Sequence, residues 1–543
     1  MKITILLLIS VVATFVDISL SLTPAQQIEV DELVESVFMD YNRIPGVGLT
    51  IVENRGATIY VKGYGFQDME SGIPANSRTK FCIASISKTF GATLLMKVLS
   101  EKFPELGSRA LDVPIKQLHP TGNFTFSDRY RSESMSFRDL LSHRHGVATE
   151  SLGSSAGAYP DIEEYIYRSR YAKEVGPFRA YPEYSNTFYV LLGNILAEIA
   201  EMRYETLLQN LFADIGMTES TFVTKTGDYE SLLGMAKGYY LKDGEVLKYN
   251  MSLINRIFLA PSAGGIITTA NDMAKYMSFH LNLGKVGETQ VIPEEAMKWM
   301  RQSAYSLDGM TFKTPESNLV QGVYALGTGF QLGAVNGYAY MAHSGQFTPF
   351  MCEMRVYPEI GLGTFSVNNG PVNLYPSPFG HPFLHEEIVR IVTGGQSKNE
   401  PYQKPSGNFV PKPKKTNLSR CDKDVKALDQ GTLPGIFGHA VEGELEITNP
   451  NGTLYMRYGE WATGYLTTYP DVPNGFLINW DTDLVQEIYF NSGVFVDMIA
   501  QFSDVDTLNL HLSGAMWEFK RNVTLISLPE IPWSENSCGP ETG

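Results

Sequence analysis

Apolar and polar positions change rhythm several times along this 543-residue chain. Residues 29–41 repeat apolar side chains at helical spacing, and Pro45-Gly46 ends the repeat. Residues 47–52 and 57–63 then read as two strands joined around Asn54-Arg55-Gly56, a β-hairpin signature. Ser85 heads the strongly apolar segment 86–99, which has no Gly or Pro after Gly91 and predicts a buried helix. From Leu111 to Met300 the pattern is mostly helical with polar loops, and strand-like runs return at 338–342, 350–356 and 361–367. Strands at both ends with helices between them predict an α/β domain. Its antiparallel sheet is assembled from both ends, flanked by helices, and carries an all-helical subdomain.

The rhythm breaks again after Gly394. Residues 395–420 are rich in Pro, Lys and Ser and cannot build a core, so they read as a linker. In 421–543, short alternating runs are separated by turn residues; Glu444 to Ile447, then Asn449-Pro-Asn-Gly452, then Thr453 to Tyr458 is one such hairpin. The repetition predicts a small antiparallel barrel or sandwich as a second domain. A chain of this length is expected to divide in this way.

Composition adds compartment. The apolar fraction of 43% and charged fraction of 19% are those of a folded globular protein. A net charge of −16 argues against nucleic acid as a partner, since phosphate recognition needs clustered Lys and Arg. Lys2, an apolar run from Ile3 to Val16 and the small residues of Ser19-Leu20-Ser21 form a signal-peptide pattern over residues 1–21, with cleavage after Ser21. The run is shorter than the roughly 20 residues of a spanning helix, so no membrane association is expected once it is removed. Sequons at Asn123, Asn250, Asn417, Asn451 and Asn522 agree with secretion. Four cysteines allow three pairings; Cys421 and Cys538 bracket the last segment and are the favoured bridge, while Cys82 reads as a buried thiol.

Three short motifs can carry chemistry. Ser85-Ile-Ser-Lys88 puts a hydroxyl and an amine one helical turn apart, and a desolvated Lys can accept a hydroxyl proton. By itself the spacing is close to chance. Tyr184-Ser185-Asn186 offers a proton relay and an amide, although Ser and Asn are equally good helix caps. His343-Ser344-Gly345 follows the 338–342 run, and the N–H of Gln346 after it is a candidate oxyanion donor. Its plain reading is a strand ending in a polar turn. Gly153-Ser-Ser155-Ala-Gly157 matches a nucleophile elbow without the strand such an elbow needs, and reads as a flexible loop. His143 with His145, and His381 with His385, are candidate metal pairs outside any Cys/His framework; no metal or other cofactor is expected.

The ordered set resembles the serine β-lactamases and penicillin-binding proteins: Ser-x-x-Lys, Tyr-x-Asn about a hundred residues on, then a Lys/His-x-Gly strand. Asp139 to Val147 and Pro261 to Met273 are similar to two further segments of that family, with His145 where Ser is usual, and 357–369 also fits. The resemblance covers about 29–392 and is nearest the class C-like branch. That branch includes carboxylesterases, D-amino-peptidases and secreted animal β-lactamase-like proteins, mollusc shell-matrix components among them. It implies that Ser85 is acylated, Lys88 and Tyr184 handle its proton, and Asn186 touches the substrate amide. Ser85 and Gln346 N–H groups would form the oxyanion hole. His343 stands where Lys is usual, which weakens the fixed charge that holds a β-lactam carboxylate. The expectation is a secreted hydrolase of small esters or peptides. The rival is a non-catalytic extracellular matrix protein that keeps the fold.

Overall fold

The computed structural model describes residues 22–119, 124–148, 152–223, 234–242, 244–252, 254–255, 260–307, 311–313, 320–371, 379–395, 427–470, 472–481, 498–512 and 515–529. The leader, all but the first residue of the linker, Asn123, Asn417, Cys421 and Cys538 lie outside the described residues.

Two distant parts of the chain share one antiparallel sheet. Its order is Tyr305–Ser306, Val320–Leu326, Gln331–Val335, Tyr338–Phe347, Phe350–Tyr357, Leu362–Asn368, Gly46–Glu53, Thr58–Asp68 and Ile73–Pro74; Thr311–Lys313 joins beside Val320–Leu326. The ends of the domain meet where Gly46–Glu53 pairs with Leu362–Asn368, Val47 opposite Asn368 and Val52 opposite Gly363. Side-chain alternation then sorts two cores. Along Phe350–Tyr357, Phe350, Cys352, Met354 and Val356 enter one, while Met351 and Tyr357 enter the other. Both faces are covered by helices, so the strand is buried throughout.

One cover is built from the two ends of the domain. Pro24–Glu32, continued as a π-helical stretch Leu33–Met39, packs with His381–Val392. This first helix starts earlier than the apolar repeat predicts, because Thr23 and Gln26 form a capping box. His381 and His385 are no metal pair: they hydrogen-bond Ser366 and Thr364 on the buried sheet face. Against the other face lie Ser87–Lys102 and Ala270–Leu281, with Thr50 Oγ1 donating to Ala270 O at 2.7 Å. Among the described residues, no helix is long and apolar enough to cross a membrane.

The insertion is not purely helical. Lys80–Cys82, Ile266–Thr269 and Thr221–Phe222 form a small sheet, and Tyr239–Lys242 pairs with Glu245–Lys248. Strands of two to four residues leave no readable alternation.

The second domain is a closed eight-stranded barrel. Each strand from Gly435–His439 to Ala515–Arg521 is antiparallel to the next, and Phe437 opposite Arg521 closes the ring. Leu445, Ile447, Met456, Tyr458, Leu466, Phe476 and Phe519 fill its interior.

Barrel and insertion meet at the Gly153–Gly157 match. Gly153 N donates to Glu442 Oε2 at 2.8 Å, Tyr159 Oη to Val441 O at 2.7 Å, and Trp461 N to Ala156 O at 2.9 Å. Gly157 has φ +73°, and a Cβ there would lie 2.3 Å from the Trp461 ring. Beside it Arg168, 1% exposed, reaches Glu164 and Glu444 at 2.7 Å each and Ala440 O at 3.1 Å. So Ser155 sits on the short helix Leu152–Ala156 and not in a flexible loop. Five residues are too few for helical periodicity to show, and barrel contacts hold the segment instead.

Candidate active site

Ser85 lies where a strand becomes a helix. Lys80–Cys82 leads into the 3₁₀ turn Ala84–Ile86, which runs on as Ser87–Lys102. Ala84 is held at φ 43°, a conformation costly for a residue with a Cβ. Surrounding packing fixes this turn: Ile83, Ala84 and Ile86 are all buried while Ser85 is half-exposed.

One turn on, Lys88 is fully buried. Its Nζ donates to Ser85 Oγ at 3.1 Å, Asn186 Oδ1 at 2.6 Å and Ala263 O at 2.8 Å. Three ammonium hydrogens thus meet three neutral oxygens. No carboxylate pairs with Lys88 among the described residues, and burial holds its pKa well below that of an ordinary lysine. The Ala263 carbonyl comes from the turn before Ile266–Thr269, a backbone contribution no side-chain motif announces.

Tyr184 completes the Ser85 environment. Its hydroxyl donates to Ser85 Oγ at 2.8 Å, and its ring centre is 4.9 Å from Lys88 Nζ. The residue as a whole is 48% exposed, yet the hydroxyl points inward, and burial raises its pKa to about 12. Asn186 occupies the N-cap position of Thr187–Ala200 without using its side chain as a cap. Ser185 does that work, its Oγ accepting from Phe188 N at 3.0 Å, which leaves Asn186 to Lys88.

The third motif lies within the strand Tyr338–Phe347, not at its end as the 338–342 run suggested. The strand continues because Gly345 pairs with Cys352 and packs on the Ser85 turn: a Cβ on Gly345 would lie 2.3 Å from Ile83 O. Gly345 therefore permits the close approach of this strand to the turn that carries Ser85, and Gln346, the next residue, is exposed. Ser344 is half-buried, and its carbonyl receives His343 Nδ1 at 2.6 Å. Burial, then the nearby Lys88 charge, lower the His343 pKa to about 4, so the ring is neutral at pH 7.

His143 belongs here too, as a support. Its ring lies 4.6 Å from that of Tyr184 and its Nδ1 accepts from Ser185 N at 3.0 Å. His145 turns away, stacks on Phe188 and accepts from Val147 N at 3.2 Å, so the two form no metal pair. Among the described residues no group of three His, Cys, Asp or Glu could hold a metal ion. Cys82 and Cys352 are both buried free thiols.

A strand-to-helix serine touched by a buried amine and a phenol has the geometry that acyl transfer through a Ser-Lys pair would need. The β-lactamase family profile matches residues 32–376, and this chain belongs to that family. Protein flp from Staphylococcus aureus (strain NCTC 8325 / PS 47) is 25% identical over 376 residues, covering 68% of each chain. An octameric penicillin-binding protein homologue from Pyrococcus abyssi superposes with TM-score 0.54 at 18% identity, over 91% of this chain and 100% of that one. A D-amino acid amidase from Ochrobactrum anthropi SV3, solved with L-phenylalanine amide, gives TM-score 0.52 at 22% identity, over 67% and 99%. These two likenesses are of fold.

Proposed function

We propose that this chain is a secreted serine hydrolase that acylates Ser85 with a small ester or peptide. The observation that carries the reading is Lys88, buried without a carboxylate and 3.1 Å from Ser85 Oγ. With its depressed pKa it can be the neutral amine that takes the Ser85 proton as Oγ attacks the substrate carbonyl. Tyr184, a neutral phenol at rest, hands a proton to the leaving group. The Asn186 carbonyl orients Lys88 and its NH₂ group meets the substrate amide. Ser85 and Gln346 N–H groups receive the oxyanion, and water then releases the acyl group.

Neutral His343 offers no fixed cation to a substrate carboxylate, which favours an uncharged acyl group over a β-lactam. The likeness to a D-amino acid amidase supports an amide or D-peptide as the substrate class. Secretion, extracellular matrix association, a Cys421–Cys538 bridge and glycosylation at the sequons belong to the same proposal. Asn451 and Asn522 stand exposed on barrel turns, as glycosylation requires.

Incubation with a fluorophosphonate or a penicillin, followed by peptide mass spectrometry, tests the reading. The expected adduct sits on Ser85 and disappears in Lys88→Ala. Folded protein that takes no label and turns over neither esters nor D-peptides would instead be a non-catalytic relative keeping the fold.

A further inference from the structure

The backbone N–H of Leu22 donates to Glu53 Oε2 at 2.9 Å, and both residues are buried, 6% and 1% exposed. Glu53 Oε1 is equally shielded and has no hydrogen-bond partner among the described residues. Glu53 ends the strand Gly46–Glu53, whereas Leu22 leads through Thr23 into the helix Pro24–Glu32. A buried carboxylate with one amide hydrogen for two oxygens is short of donors and of positive charge. Burial already raises its pKa, against the single opposing Leu22 N–H. Leu22 is also the residue that follows the cleavage pattern Ser19-Leu20-Ser21.

We propose that Glu53 is a built receptor for the α-ammonium group of Leu22, created when an endopeptidase of the export pathway hydrolyses the Ser21–Leu22 bond. Water contributes its hydroxyl to the Ser21 carbonyl and a hydrogen to the Leu22 nitrogen. That amine takes up one further proton at neutral pH, because a free α-amine titrates near about 7.7–8.0. An amide with one hydrogen becomes an ammonium with three, able to serve both Glu53 oxygens and to neutralise their charge. Leader removal thereby completes the fold as well as releasing the protein. The gain reaches the helical cover, since this same helix is tied to His381–Val392 by Gln26 Nε2 to Ile391 O at 2.6 Å and Glu29 to Arg390 at 2.7 Å.

The inference shares the secretion reading only for the identity of the protease; the pairing itself can be measured without export. Two forms released from a cleavable fusion, one starting at Leu22 and one at Ser21, are each made with Glu53 and with Glu53→Gln. The added Ser21 is expected to lower Tm by about 2–4 °C with Glu53 and to change nothing with Glu53→Gln. Equal Tm for the two starts with Glu53, or the same difference in both backgrounds, overturns the pairing. Should Glu53→Gln fail to fold, acylation of the native protein decides. The Leu22 α-amine is expected to resist a reagent that modifies it readily in urea, and equal reactivity in both states overturns the burial. N-terminal sequencing of protein exported from a eukaryotic host should read Leu22 first. Export with a different terminus overturns the cleavage alone; retention with an uncut leader overturns secretion and cleavage together.

Discussion

Lys88 and Arg168 are both buried cations, one in the site and one at the seam between domains, and they are neutralised in opposite ways. Burial alone would lower the Arg168 pKa, but hydrogen bonds to Glu164 and Glu444, with their charges, together outweigh it and raise it. Lys88 has only a hydroxyl, an amide and a carbonyl, and its pKa falls. Carboxylate partners make a buried cation permanent and structural. Neutral partners leave its proton transferable. On the proposed function, the same burial serves adhesion in one place and chemistry in the other.

The contrast breaks most visibly at Lys88. Lys88→Ala should lower the acylation rate by about 10³-fold or more, with thermal stability unchanged or higher, because a buried amine without a carboxylate partner is lost. A loss under tenfold in stopped-flow acylation would remove Lys88 from the chemistry. At the seam the signs reverse. Arg168→Ala should cost about 2–3 kcal/mol in denaturant unfolding while leaving the acylation rate of the folded protein within about twofold. The cost lies at the low side for a broken buried pair, since Glu444 is 30% exposed and can find water.

Tyr184→Phe sharpens the site's half of the comparison. Removing the second donor to Ser85 Oγ should reduce turnover by about 10²-fold with little change in Tm, checked by steady-state kinetics beside melting curves. Gly157→Ala tests the seam without touching charge. Its positive φ and the Trp461 ring predict about 1–3 kcal/mol of destabilisation and unchanged kinetics.

A further test lies in pH dependence. The folded pKa of His343, about 4, lies below the ordinary 6.5, so the unfolded chain binds its proton first. Its contribution to stability is present above pH 6.5 and is lost as pH falls toward 4. His343→Gln should make the acid limb of Tm against pH shallower; an unchanged limb would contradict a buried neutral ring.

Much of the hydrolase domain was legible because its strands and the helix after Ser85 are long enough to show their period. The site was legible as an ordered set and much less so piece by piece. Ser185 and Asn186 illustrate the difficulty, since either could cap a helix and only three dimensions separate the cap from the Lys88 ligand. His343 to Gln346 look like a turn in sequence because Ser and Gly are turn residues. The strand persists through them by pairing with Phe350–Tyr357, a tertiary effect. Ala263 acts through its carbonyl, Gly157 through the ring it admits, and Glu53 through a residue 31 positions away. None of these has a local pattern.

The barrel's closure has a further consequence for life at high concentration. A ring of strands presents no unpaired margin, and the large sheet stops on two-residue strands, one of them ending in Pro74. The long strand Thr58–Asp68, however, meets Ile73–Pro74 only at Phe66 and Asp68, so among the described residues no strand lies beside the outer edge of Thr58–Tyr64. At high concentration another chain would therefore find its strand-adding edge along Thr58–Tyr64 and not on the closed barrel.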